Sequence, residues 1–293
     1  MATRQGRRNK GNPVNMASPQ INVPQGIEDV RDFWDAAACG EDLLLKDLSL
    51  EGYQGQAAER YRLEPYIKDF AGFNEVAGKA VLEIGVGLGA DHEQFARGGG
   101  VLTGVDITPR AVSRTAERFA LIGLSSDIQV ANAEQLPFAD NSFDHVYSWG
   151  VLHHTPNTPK AIAEALRVLK PGGHYRIMIY NKWSLIGLML WTRYALLVGK
   201  PTRTLTDVYA KHLESPGTKA YTPSEAAAIL RPFSKDVTTQ IVLTHGDLLE
   251  SGAGQRHQGG ALNFARKVWP RWLLRRLASD NGLFLLIKGT KTG

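Results

Sequence analysis

A chain of 293 residues, 43% of them hydrophobic, has the apolar material for one large domain or two small ones. Its single cysteine, Cys39, excludes an intrachain disulfide framework and is compatible with a reducing, cytoplasmic setting. The net charge of +5 is uneven: residues 1–26 carry +4, residues 254–293 set eight Lys and Arg against Asp280, and the body between them is −6, which argues against a nucleic-acid enzyme with a basic working face.

Residues 1–26, rich in Asn, Gln, Gly and Pro, read as a disordered basic tail without the apolar core of a signal peptide. Residues 28–76 read as helical, with Phe33, Trp34, Ala37 and Ala38 on one face and Glu59–Phe70 continuing through Tyr61, Leu63, Tyr66 and Phe70. The span 27–78 is too long for a linker and is expected to form an N-terminal helical lid on the domain at 79–293. From Lys79 to Tyr180 strands near 81–85, 101–105, 127–131, 143–149 and 174–180 alternate with helices near 90–96, 109–122 and 158–169. Thr108 followed by Pro109 marks a helix start. The alternation predicts an α/β fold, a doubly wound parallel sheet with its ligand beyond the carboxyl ends of the strands, at Glu83, Asp106, Asn132, Trp149 and Tyr180.

Residues 181–222 break the rhythm and read as an inserted cap: apolar Trp183–Gly199, which Arg193 keeps from being a membrane span, then a polar stretch ending in Glu214–Ser215–Pro216–Gly217–Thr218. Thr222–Pro223–Ser224–Glu225 has the residues of a capping box, and strands are expected at 237–244 and 283–288.

The richest stretch is Val81–Leu82–Glu83–Ile84–Gly85–Val86–Gly87–Leu88–Gly89–Ala90, an apolar strand that breaks into alternating glycines. Glycines accept positive φ and let a ligand approach the backbone. Gly85, Gly87 and Ala90 also fit the dinucleotide fingerprint, and Asp106 stands nineteen residues after Gly87, where an acid would hold a nicotinamide cofactor's ribose. The loop and Asp106 alone therefore leave a nicotinamide-dependent oxidoreductase open.

The later motifs add to the choice: Gly-Val-Asp at 104–106, Asn-Ala-Glu-x-Leu-Pro-Phe at 132–138, Asn-Ser-Phe-Asp at 141–144 and Arg-Val-Leu-Lys-Pro-Gly-Gly at 167–173. In this order, over about residues 79–180, the sequence resembles a class I S-adenosylmethionine-dependent methyltransferase and is most similar to the small-molecule type that includes the quinone-biosynthesis enzymes. The resemblance implies a Rossmann-like, seven-stranded, mostly parallel sheet whose last strand is antiparallel. It implies S-adenosylmethionine as cofactor and S-adenosylhomocysteine as product. Glu83 would face the methionyl ammonium, Gly85, Gly87 and Gly89 the methionyl and ribose portions, Asp106 both ribose hydroxyls, and Ile107 an adenine face. Asn132 and Ala133 match the pair that reads the adenine edge, with Asn where the family often has Asp; Trp149 packs on adenine or fills the switch-point crevice. A non-catalytic protein of the same fold, and a cofactor-binding domain doing other chemistry such as a rearrangement or elimination, are the remaining alternatives.

Methyl transfer from a sulfonium needs alignment of the acceptor with the methyl group and exclusion of water; a general base is needed only if the acceptor must lose a proton. His153 and His154, after the fourth strand, are the candidates for base or acceptor positioning. Tyr53, Tyr61, Tyr180 and His212 are candidates for the substrate pocket, and no metal set stands at a recognisable spacing. Leu185, Ile186, Leu188, Met189, Leu190 and Trp191 fit a small, lipophilic acceptor or a membrane surface. Near the C-terminus Lys267, Arg271 and Arg275 share one helical side, and Trp269, Leu273 and Leu277 another. Such a helix, starting after Pro270, either packs as an ordinary surface helix or makes peripheral membrane contact. The oligomeric state stays open.

Overall fold

The computed structural model describes residues 26–36, 41–250 and 269–293. The expected tail at 1–25 lies outside the described residues, as do Ala37, Ala38, Cys39 and Lys267.

The N-terminal segment folds as α1 (Ile27–Ala36), α2 (Glu41–Leu44), α3 (Leu50–Leu63) and α4 (Tyr66–Ala71). The helix expected to run through Glu59–Phe70 is broken between α3 and α4, because Pro65 has no amide proton to continue the ladder and disfavours helix at Glu64 before it. The domain then follows as β1 (Ala80–Ile84), α5 (Ala90–Arg97), β2 (Val101–Asp106), α6 (Pro109–Ile122), β3 (Asp127–Val130), β4 (Phe143–Trp149), α7 (Thr158–Val168) and β5 (Leu169–Tyr180). The inserted segment forms α8 (Leu185–Trp191), a wider turn at Thr192–Leu196, and α9 (Leu205–His212). It is followed by α10 (Pro223–Leu230), β6 (Thr238–Val242), α11 (Arg271–Leu277) and β7 (Phe284–Thr290).

Local chemistry sets the helix starts. Thr108 Oγ1 accepts from Ala111 N at 3.2 Å ahead of Pro109. At Thr222 and Glu225 both halves of the capping box are made. α11 begins directly after Pro270, as the ring requires.

Among the described residues the sheet has seven strands in the order β3-β2-β1-β4-β5-β7-β6, and β7 alone runs against the rest. This is the mostly parallel α/β fold that the resemblance implies. β5 starts earlier than the expected 174: Leu169 already pairs with Phe143, and the register shifts before His145 meets His174. The turn at Lys170–Gly173 is absorbed because Gly172 takes φ 76° and its N–H donates to Lys291 O at 2.9 Å.

Side-chain alternation splits the core. Leu82, Ile84, Val146, Ile177 and Ile179 pack with Ile162 and Leu166 of α7 and Leu230 of α10. On the other face Val81, Tyr147, Met178 and Tyr180 pack with Phe95 of α5 and with Ile67 and Phe70 of α4. β1 lies between β2 and β4, where the strand order reverses, so a crevice opens at the carboxyl ends of β1 and β4. The N-terminal helices cover the same face of the sheet.

Candidate active site

The glycine loop leaves β1 with Gly85, Gly87 and Gly89 at φ 88°, 54° and 73°. Gly85 must be glycine: a Cβ there would stand 2.1 Å from Val151 Cγ2. At Gly87 a Cβ would meet nothing within 4 Å, so this side of the loop faces open space. The loop is pinned from below by Gly85 N and Val86 N, both donating to Val105 O, and from α6 by Thr115 Oγ1 donating to Gly87 O and Arg118 to Leu88 O.

Asp106, half-buried at the end of β2, ties the loop to the next helix. Its Oδ2 accepts from Gly87 N at 3.2 Å, and its Oδ1 accepts from Thr108 N and Thr108 Oγ1, both at 3.0 Å. A carboxylate offers about four acceptor sites, so about one is left on Oδ2 for a ligand hydroxyl. Burial raises the Asp106 carboxyl above its ordinary range against these donors. Ile107 beside it is half-buried. Asn132 Oδ1 accepts from Glu134 N at 2.9 Å, which leaves one lone pair, and Ala133 packs into the core. Glu83, 3% exposed, projects from β1 beneath the loop.

Sequence reasoning missed the group that fastens the N-terminal helices to this loop. Asp91, on the first turn of α5, receives Arg60 of α3 bidentately at 2.6 and 3.2 Å, Tyr61 Oη at 2.9 Å and Tyr147 Oη at 2.9 Å. Burial pushes the Asp91 carboxyl up, but Arg60 and the two tyrosine hydroxyls outweigh it and hold it below the usual range. The signal available in the sequence was an acid in the first turn of the helix after the glycines, with Arg60-Tyr61 on a helix upstream.

On the other side of the crevice, the carboxyl ends of β4 and β5 carry an aromatic and acidic cluster. Trp149 stacks on Tyr66 at 6.0 Å and meets Phe284 edge-on at 5.7 Å; Phe284 stacks on Tyr180 at 5.8 Å. This groups Trp149 with the acceptor-side candidate Tyr180. Tyr180 Oη donates to Glu214 Oε2 at 2.5 Å, and its ring lies 4.0 Å from that of His153. His154 Nδ1 lies 2.7 Å from Ser215 Oγ and 3.1 Å from Thr218 Oγ1, while Nε2 is 3.6 Å from Glu214 Oε2. The inserted segment thus supplies Glu214, Ser215 and Thr218 to the site, three residues that sequence reasoning had read only as the end of a polar stretch.

Both histidines are buried. Burial, reinforced by Lys219, pushes His154 down to about 3, and burial, His154 and Lys219 push His153 well below its ordinary value. Both are neutral at physiological pH, and such depressed imidazoles are weak bases. His153 has no hydrogen-bond partner on either ring nitrogen among the described residues. Glu64 is the contrasting group. Burial raises its carboxyl to about 7, helped by Asp91 and Glu214 and opposed by the Arg60 guanidinium and the Trp149 indole.

The remaining predicted residues lie apart. Tyr53 is buried between α3 and α6, its Oη donating to Arg114 O at 3.1 Å and its ring under Arg118. Tyr61 latches onto Asp91. His212 stacks on Tyr194 at 3.9 Å within the inserted segment. Among the described residues no group of three or more His, Cys, Asp or Glu could hold a metal ion.

Comparison with known proteins agrees with this arrangement. Residues 82–177 match the family described as a methyltransferase domain. A sterol 4-C-methyltransferase of Caenorhabditis elegans is 38% identical over 96 residues, 32% of this chain and 29% of that protein. A demethylmenaquinone methyltransferase of Tropheryma whipplei is 38% identical over 100 residues, 33% of this chain and 40% of that protein. The chain thus spans well under half the length of the curated relatives it matches. Among solved structures, a phosphoethanolamine N-methyltransferase of Haemonchus contortus, in complex with phosphomonomethylethanolamine and S-adenosylhomocysteine, covers 90% of this chain and 60% of its own with a TM-score of 0.59 and 20% identity, a likeness of fold. Residues 82–177, the part built around the glycine loop, thus match a methyltransferase domain and are similar to curated methyltransferases.

Proposed function

We propose that this protein transfers the methyl group of S-adenosylmethionine to a small, lipophilic acceptor by in-line displacement. One observation carries the reading: a glycine loop open at Gly87, flanked by Glu83 and Asp106, lies at the switch point beside the aromatic cluster of Tyr66, Trp149, Tyr180 and Phe284. The donor residues fit the cofactor. Glu83 suits a methionyl ammonium, the open acceptor site on Asp106 a ribose hydroxyl, and the half-buried Ile107 an adenine face. Bound there, the cofactor supplies an activated methyl group with a neutral leaving group.

The chain's own residues then have three tasks. The aromatic walls exclude water and hold an apolar acceptor. His153 and His154, held neutral, orient it by hydrogen bonds. Where the acceptor must lose a proton, Glu64 takes it, because its carboxyl titrates at about 7, near the working pH. The N-terminal helices act as the lid and the inserted segment as the cap.

A surface reading accompanies this one. Trp272 and Leu277 on α11 are 71% and 72% exposed beside Arg276, a face suited to peripheral contact with an anionic membrane from the cytoplasmic side. Arg271 is engaged inward with Leu248 O, and the exposed Arg275 pairs with Glu250, which favours packing as a surface helix.

The test is a product screen. Methyl-labelled S-adenosylmethionine is incubated with the protein and with lipid and metabolite extracts, and products are identified by mass spectrometry. Label in a small apolar product is expected. Label only in protein or nucleic acid overturns the acceptor class, and tight NADH binding without S-adenosylmethionine binding overturns the donor.

A further inference from the structure

Glu83 is the first link of a buried hydrogen-bond chain. Its Oε2 lies 2.8 Å from Nδ1 of His92 on α5. His92 Nε2 lies 2.7 Å from Ser126 Oγ, and that hydroxyl donates to Leu102 O at 3.1 Å. Glu83 is 3% exposed and His92 is fully buried. The ring is seated on Gly104, where a Cβ would come within 3.0 Å of His92 Cε1 and Nε2, so this glycine of the Gly-Val-Asp motif makes room for the chain.

Counting protons along the chain gives its charge state. A carbonyl only accepts, so the one hydroxyl proton of Ser126 goes to Leu102 O and Ser126 Oγ takes the N–H of His92 Nε2. With Nε2 as donor, the 2.8 Å contact between Nδ1 and Oε2 needs one more proton between them. With all three contacts made as hydrogen bonds in that arrangement, the pair holds one proton beyond a carboxylate and a neutral imidazole. Its surroundings favour that state. Burial, Asp91 of α5 and Asp106 of β2 push the Glu83 carboxyl up, against Arg60 of α3, and burial pushes His92 down to about 3. Tyr61 of α3 and Tyr147 of β4, the other titratable groups facing Glu83, stay neutral because their hydroxyls are pushed up.

We propose that His92 is a positioning residue for Glu83 and that binding of the cofactor's ammonium to Glu83 expels one proton from the Glu83–His92 pair. The inference rests on the reading that Glu83 meets the methionyl ammonium. The step balances: one proton leaves the pair for a buffer base, Glu83 becomes a carboxylate that accepts from the ammonium, and the neutral His92 keeps one proton on Nδ1, donating to Oε2, while the Ser126 hydroxyl turns to donate to Nε2. The chain thus makes methyl-donor affinity a function of pH through a residue that does not touch the donor.

The experiment is calorimetry of S-adenosylhomocysteine binding at pH 6.5, where an α-amine of ordinary value about 7.7–8.0 is protonated. Binding enthalpies are measured in phosphate, PIPES and imidazole buffers, whose ionisation enthalpies differ. The expected result is a linear dependence on buffer ionisation enthalpy with a slope of about one proton released, and a Kd that falls up to about tenfold per unit rise in pH. In His92→Gln the amide can donate to the Glu83 carboxylate, which favours its ionised form against the raising effect of burial, Asp91 and Asp106, and the slope falls below that of the wild type. Ser126→Ala, at the less buried end of the chain, frees His92 to carry its proton on Nδ1 and lowers the slope in the same way if the first variant does not fold. Binding by the wild type with no buffer dependence overturns the proposal and leaves the donor site standing. No binding of S-adenosylhomocysteine in any buffer overturns the reading of the site itself.

Discussion

Glu64 shows how one residue's environment becomes a measurable pH dependence. Its carboxyl rises from an ordinary 4.5 to about 7 in the folded chain, chiefly through burial. A group raised in this way contributes its stability fully below the unfolded value, and the contribution is lost as pH rises through the folded one. Between pH 4.5 and pH 7 the wild type should therefore lose about 3 kcal/mol that Glu64→Gln keeps, since a shift of one unit corresponds to about 1.4 kcal/mol. Urea midpoints of both proteins at pH 5 and pH 8 check this. Parallel pH dependences would show that the carboxyl is solvated. Glu83 and Asp106 could be found in the sequence, because strand length and the switch-point rule place strand-end acids at the crevice. Glu64 could not, because its environment is made by Asp91, Trp149 and Glu214, which are distant in sequence.

At the scale of elements, a buried ion pair couples α3 to the helix turn that follows the glycine loop. Arg60 meets Asp91 at 2.6 Å, with Asp91 only 3% exposed. Removing the cation leaves a buried carboxylate uncompensated, and breaking such a pair costs about 3–5 kcal/mol. Arg60→Ala should destabilise the protein by about that amount in urea unfolding. Arg60→Ala combined with Asp91→Ala should cost less than the sum of the two single changes, because the second removes the charge that the first stranded. Additive effects would mean that the two side chains act independently. The strands and helices of 79–180 were legible because local periodicity and Thr108-Pro109 agree with the final fold. The break at Pro65 was legible too, had the proline been weighed against the apolar spacing that continues past it. The extension of β5 back to Leu169 was not, since it depends on Lys291 returning from the far end of the chain to bond Gly172 and Gly173.

For the whole molecule, the question is whether donor binding and the closing of the N-terminal helices are one event. The contacts tie them together. Asp91 follows the glycine loop directly and carries Arg60 and Tyr61 of α3, while Arg118 of α6 bonds both Leu88 O in the loop and Gln56 Oε1 in α3. A ligand that orders the loop therefore also orders the anchors of α3. Binding at about one hundred times Kd stabilises the native state by about 2.7 kcal/mol, and every segment whose opening requires loop opening gains that protection. Hydrogen exchange with and without S-adenosylhomocysteine should accordingly slow not only at 85–91 but also across 50–63, by up to about a hundredfold, while β6 at 238–242, the edge strand paired with β7, stays unchanged. In Arg60→Ala the protection at 50–63 should shrink while that at 85–91 persists. Protection confined to the loop in the wild type would mean that the helices stand over the site without sensing its ligand, and the tie through Asp91 would then be only a brace.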